Sequence, residues 1–192
     1  ATLVRLPLGF DGADLNVDHP LDYLGHDGGG GVGAGPGLAV GGALALDGTD
    51  RLPVAVLGDG DFLMGNAALW TASHHRLPLL VVVSDNGSFF NDEVHQERVA
   101  RRRGRPVDNR WVGQRISDPA PDIPGLARSL GFEAPEPVTH RDDLARTLAQ
   151  AVARVAEGGQ VLVDVRVTAE GYPGGPPPAG ERASPAPAAI SR

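Results

Sequence analysis

At 192 residues, 41% of them hydrophobic, the chain has material for one domain with its own core and little more. With 17 Lys and Arg against 24 Asp and Glu, its net charge of −7 argues against a nucleic-acid partner, and no apolar run approaches the ~18–20 residues of a membrane span. Cysteine is absent, which excludes disulfides, thiolate catalysis and cysteine-ligated metals.

Residues 1–12 have neither the basic start nor the apolar stretch of a signal peptide, so a cytoplasmic location is expected. Residues 1–22 read as an extended arm that lies on a neighbouring domain or subunit. A glycine-rich loop occupies residues 28–37, and residues 38–46 look helical. The apolar run at residues 52–57 (LPVAVL) predicts a buried strand that closes in Gly58-Asp59-Gly60. Residues 62–75 place apolar side chains at helical spacing with few β-branched ones, so a helix is expected to start just after Gly60. His74 and His75 end it, where a cation suits the helix dipole. A second buried strand, residues 79–83, closes in Asp85-Asn86-Gly87-Ser88.

Downstream, Arg98, Arg101, Arg102, Arg103 and Arg105 form a basic run. It reads as a solvated face on a lid or an interface with an acidic partner; the other reading is recognition of a substrate carboxylate or phosphate, which suits the arginine fork. Residues 123–130 and 141–156 look like amphipathic helices and residues 160–165 like a closing strand. Residues 171–192, rich in Pro, Gly and Ala, have little to bury against the entropy of ordering and are expected to be disordered. The alternation of apolar strands with helices predicts an α/β domain over residues 23–170, an open, mostly parallel sheet with helices on both faces.

Both strand ends should fall on one edge of that sheet, and in open α/β sheets ligands bind at the carboxyl ends of the strands. Mg2+ takes about six oxygens, usually from one or two carboxylates plus phosphate oxygens. Asp59 offers a carboxylate, Asn86 a side-chain carbonyl and Ser88 a backbone carbonyl, with glycines alongside that allow close approach to a phosphate. Alone, GDG and DNG are ordinary turn signals. Together, after two buried strands and 27 positions apart, they predict a clamp for a magnesium diphosphate. Gly28, Gly30 and Gly33 also fit the dinucleotide fingerprint G-x-G-x-x-G, but no strand-like segment precedes them.

The run GDGDFLM, followed by LLVVVSDNGSFFND, resembles the cofactor-binding domain of thiamine-diphosphate enzymes. The branch it is most similar to contains acetolactate synthases, benzoylformate decarboxylase and pyruvate decarboxylase. The resemblance covers residues 23–167. It implies Mg2+ bound by Asp59, Asn86 and the Ser88 carbonyl, and thiamine diphosphate bound along Gly58, Gly60, Asp61, Phe89 and Phe90. Asp85 stands where the family usually has Asn, at a position that is not a metal ligand. The glycine loop resembles the segment that touches the aminopyrimidine: the Gly30 carbonyl would accept from its amino group, and Val32 would be the wedge that bends the cofactor. That wedge is usually a larger Leu, Ile or Met.

What the resemblance implies for chemistry is decarboxylation of a 2-oxo acid, with or without ligation to a second carbonyl as in acetolactate synthesis. The cofactor supplies the electron sink and the protein supplies positioning. Asp92, six residues past Asn86, falls where relatives carry a proton-transfer carboxylate, and His26 where relatives line the pocket; these are the two catalytic candidates. Their plain alternatives are a helix-capping Asp and a polar loop His. The glutamate that relatives place beside the pyrimidine comes from a separate pyrimidine-binding domain, for which this sequence has no candidate. A second chain, in a dimer of heterodimers, or another part of a longer polypeptide is therefore expected. A non-catalytic cofactor-binding or regulatory subunit is the alternative.

Overall fold

The structure, a computed structural model, describes residues 31–168, Leu24 and the backbone of Thr2–Leu3. The arm and tail otherwise lie outside the described residues. The chain order is β1 (Thr2–Leu3), α1 (Ala34–Ala45), β2 (Val54–Gly58), α2 (Asp59–Gly65), a 3-10 turn (Asn66–Ala68) and α3 (Leu69–His75). It continues with β3 (Leu79–Asp85), α4 (Phe90–Arg102), α5 (Ile123–Ser129), α6 (Arg141–Ala156) and β4 (Gln160–Arg166).

The sheet order is β1-β2-β3-β4, with β2, β3 and β4 parallel and β1 antiparallel to β2. Strands of a parallel sheet bury both faces, which is why β2 and β3 read as continuous apolar runs. Side chains alternate across the sheet. Ala55, Leu57, Leu79, Val81, Val83 and Leu162 pack with α1, α2, α3 and α5 on one face. Val54, Leu80, Val161 and Val163 pack beneath Ala151 and Val155 of α6 on the other. The open, mostly parallel sheet with helices on both faces is the architecture expected. Among the described residues no helix is long and apolar enough to cross a membrane.

Register brings the ligand turns together: Gly58 lies opposite Ser84 on β3, and Asp85 opposite Arg166 on β4. The first helical face differs from expectation at two places. Helix α1 begins at Ala34, inside the glycine run, with Pro36 in its first turn where a missing N–H costs nothing. The helix expected over 62–75 starts at Asp59 and is interrupted by the 3-10 turn. Two local features account for the break. A Cβ on Gly65 would lie 2.1 Å from the Gly33 carbonyl oxygen, so the glycine loop passes directly over the end of α2. Asn66 donates its side-chain amide to the Leu63 carbonyl (2.9 Å), competing with main-chain helix bonds.

Candidate active site at the carboxyl edge of the sheet

The two strand-end turns converge on one backbone amide. Ser88 N–H donates both to Asp59 Oδ2 (3.1 Å) and to Asn86 Oδ1 (2.9 Å). Asp59 and Asn86, 27 positions apart in sequence, thus aim their oxygens at a single positive group. Gly87 makes the turn possible with φ of +68°, which side-chain-bearing residues seldom adopt. Asp85 shapes the same turn, since its Oδ1 accepts from Gly87 N–H at 2.9 Å.

Asp59 is only 3% exposed. Burial pushes its carboxyl up to about 6, the neighbouring Asp85 adds to the push, and the Gly60 and Ser88 amides oppose it. Two further acids end apolar rows on the same face of the sheet: Asp85 follows Val81 and Val83, and Asp164 follows Leu162. Arg166 bridges them, with Nη1 2.6 Å from Asp85 Oδ2 and Nη2 3.2 Å from Asp164 Oδ2. Asp164 is fully buried and neither of its oxygens accepts a hydrogen bond. Burial pushes its carboxyl up to about 6 despite the pull of Arg166. One arginine among three buried carboxylates leaves this edge electron-rich, which suits a cation.

Among the described residues no three His, Cys, Asp or Glu side chains gather as a metal site. A cation here therefore has to draw on the Asp59 carboxylate, amide and backbone oxygens, and oxygens of its own ligand. That donor set is the one Mg2+ uses when it binds a phosphate ester. Asp59, Asn86 and the Ser88 carbonyl fit it.

The remaining sequence-predicted residues are placed as follows. Phe89 lays its ring against Gly60, where an added Cβ would lie 2.2 Å from Phe89 Cε1. Phe90 is buried in the first turn of α4. The Asp61 carboxylate accepts from the amides of Gly33 (2.6 Å) and Gly35 (3.3 Å), which ties the glycine loop to the GDG turn. Val32, just before that tie, is half exposed. Asp92 is exposed in the first turn of α4, and its backbone N–H, not its side chain, bonds to Phe89 O. Gly30 and His26 lie outside the described residues.

Sequence reading missed a second layer. Phe90, Glu93, Val94 and Glu97 share the buried stripe of α4, and the two acids face Arg110 and Arg115 of the following loop and Arg101 of α4 itself. Arg115 Nε lies 2.7 Å from Glu93 Oε1, and both Arg101 and Arg110 pair with Glu97. Glu93 and Glu97 fall at i+3 and i+7 of the stripe that Phe90 and Val94 define, but that spacing does not name the arginines that pair them until the loop is folded over the helix. The basic run itself is exposed, as a solvated face would be.

Residues 11–165 match the family described as thiamine pyrophosphate enzyme, C-terminal TPP binding domain. The chain is 32% identical over 132 residues to benzoylformate decarboxylase of Pseudomonas aeruginosa, covering 65% of this chain and 21% of that protein. Among solved structures it is similar to the thiamine diphosphate-dependent 4-hydroxybenzoylformate decarboxylase of Rhodococcus jostii RHA1, with TM-score 0.59 and 25% identity over 71% of this chain and 23% of that one. It is similar also to an enzyme isolated from Mycobacterium smegmatis and described as thiamin diphosphate-dependent, with TM-score 0.55 and 32% identity over 73% of this chain and 23% of that one. The chain thus spans between a fifth and a quarter of the length of these relatives. A family match over most of the chain, on a sheet whose carboxyl edge gathers the paired acid–amide turns, makes this chain a member of the thiamine pyrophosphate enzymes, as their C-terminal TPP-binding domain.

Proposed function

We propose that the chain is the diphosphate- and Mg2+-holding half of an enzyme that decarboxylates a 2-oxo acid. The observation that carries this reading is the convergence of Asp59 Oδ2 and Asn86 Oδ1 on the Ser88 amide. When bound, thiamine diphosphate supplies the electron sink that a leaving carboxylate needs. This chain's residues hold it. Asp59, Asn86 and the Ser88 carbonyl take the cation; Gly58 and Gly60 let the diphosphate approach the backbone; the ring of Phe89 shields the turn from water. Asp61 keeps Gly33 and Gly35 of the glycine loop beside that turn.

Two relatives carry names that state aryl 2-oxo acids, benzoylformate and 4-hydroxybenzoylformate; that is the substrate class to test first. Asp92, exposed in the first turn of α4, is our candidate for proton transfer, with His26 as the second. Ligation of the acyl unit to a second carbonyl belongs to the same chemistry and depends on the pocket completed elsewhere. The pyrimidine half and its glutamate come from a second chain, assembled as a dimer of heterodimers, or from more of the same polypeptide. A cytoplasmic setting goes with this reading.

The test is CO2 release from benzoylformate by the assembly purified from its source through this chain. Turnover that needs Mg2+ and thiamine diphosphate, and that disappears in Asp59→Ala, supports the proposal. An assembly that binds the cofactor yet releases no CO2 from any 2-oxo acid favours the non-catalytic subunit instead.

A further inference from the structure

Glu93 is the one acid in the described chain that is fully buried beside the metal turn but belongs to neither strand end. It stands in the first turn of α4 and reaches three partners. Its Oε1 accepts from the Ser88 hydroxyl at 2.5 Å and pairs with Arg115 Nε at 2.7 Å. Its Oε2 accepts from Arg115 Nη2 at 3.3 Å and lies 3.8 Å from Arg110 Nε. One turn further along, Glu97 accepts from Arg101 Nε (2.9 Å) and Nη2 (2.6 Å) and pairs with Arg110 Nη1. Two carboxylates on α4 therefore hold two arginines of the segment that follows it, residues 103–116.

That segment crosses the metal turn. Phe89 N–H donates to Gln114 O (2.9 Å), Ile116 N–H donates to Gly87 O (2.8 Å), and the Ser88 hydroxyl also reaches Gln114 O (3.3 Å). Ser88 and Arg115 form an antiparallel bridge. The turn that presents Asn86 and Ser88 is thus bracketed by backbone bonds on both sides of Ser88, and Glu93 ties the side chains together underneath.

We propose that Glu93 is a positioning residue for the metal turn: it fixes the Ser88 hydroxyl from below and, through Arg115 and Arg110, straps residues 103–116 across the turn, so that the Asn86 and Ser88 oxygens are held ready for the cation. A buried ion pair seldom adds net stability over an apolar side chain of similar size; what it adds is direction. A Leu at this position would fill the space, but would neither accept from Ser88 nor orient two guanidinium groups. The metal part of this inference rests on the proposed function; the strap does not.

The experiment compares the full chain with E93Q and with R115Q, whose altered side chain is half exposed and leaves the core untouched. Hydrogen exchange, measured without cofactor, reads the amides of Ser88, Phe89 and Ile116, with the amides of β3 and β4 as internal reference. Loss of a charge-assisted bond should speed exchange at the three turn amides by roughly tenfold or more in both variants and leave the reference unchanged. Calorimetric titration of thiamine diphosphate at graded Mg2+ should show half-saturating Mg2+ raised by roughly tenfold in E93Q, in the same direction but less in R115Q. Unchanged exchange at those amides in R115Q overturns the strap. A lowered melting temperature with unchanged half-saturating Mg2+ makes Glu93 a merely structural residue and also overturns the proposal. If the wild-type chain takes up no thiamine diphosphate, the proposed function fails, and exchange alone then decides whether Glu93 holds the turn.

Discussion

Asp59 is held where a carboxylate is least comfortable, almost out of water and beside a second acid. The proposed divalent cation would offset that penalty; without one, burial of the charge works against the fold. Asp59→Asn should therefore melt at the same temperature as the wild type or higher at pH 7, while losing Mg2+-dependent cofactor binding by roughly a hundredfold. Thermal denaturation and calorimetry on the same samples check both halves. Asp164, which is not itself among the proposed ligands, gives a pH test. Its folded pKa lies near 6, above the ordinary 3.8. The folded chain thus binds that proton more tightly than the unfolded chain, so the side chain's contribution to stability falls as pH rises from about 4 to 6 and stays low above. Asp164→Asn should be more stable than wild type at pH 7, by on the order of 1 kcal/mol, with the difference shrinking toward pH 4 in urea titrations. Asp59 and Asn86 were legible in the sequence because each closes an apolar strand with a glycine beside it. Glu93 was not, because an acid on a helix reads as solvated until the loop bearing Arg110 and Arg115 is folded over it.

At the level of elements, period-two and period-3.6 patterns located the strands and helices well: α6 spans residues 141–156 and β4 ends one residue past the expected range. Both errors on α1 and α2 come from long-range contacts that no local pattern carries. Asp61 satisfies amides of the glycine loop and so lets α1 start early, and the crowding of Gly65 on Gly33 breaks the second helix. Gly65→Ala would drive a Cβ into a backbone oxygen, and backbone cannot swing aside. It should lose about 1–3 kcal/mol in urea denaturation and loosen the glycine loop as well. Leu162→Ala tests the sheet: fully buried on β4, it should lose about 2–5 kcal/mol without altering which ligands bind.

For the molecule as a whole, the sequence made the fold class and the cofactor edge legible, since both follow from where apolar runs stop and acids begin. It left unread the support beneath that edge, the Asp85–Arg166–Asp164 fork and the Glu93 strap, because those pairings join segments brought together only by β4 and by the loop after α4. The chain spans about a fifth of its curated relative, and Leu38, Leu44, Met64 and Trp70 stay exposed on α1, α2 and α3. We propose that this part by itself holds a magnesium diphosphate at the carboxyl edge of the sheet. Calorimetric titration of thiamine diphosphate into the chain, with Mg2+ and then with a chelator, tests it most directly. The account predicts binding that needs Mg2+, is competed by inorganic pyrophosphate and not by thiamine, and is lost in Asn86→Ala. Binding that survives the chelator, or that persists undiminished in Asn86→Ala, would contradict it.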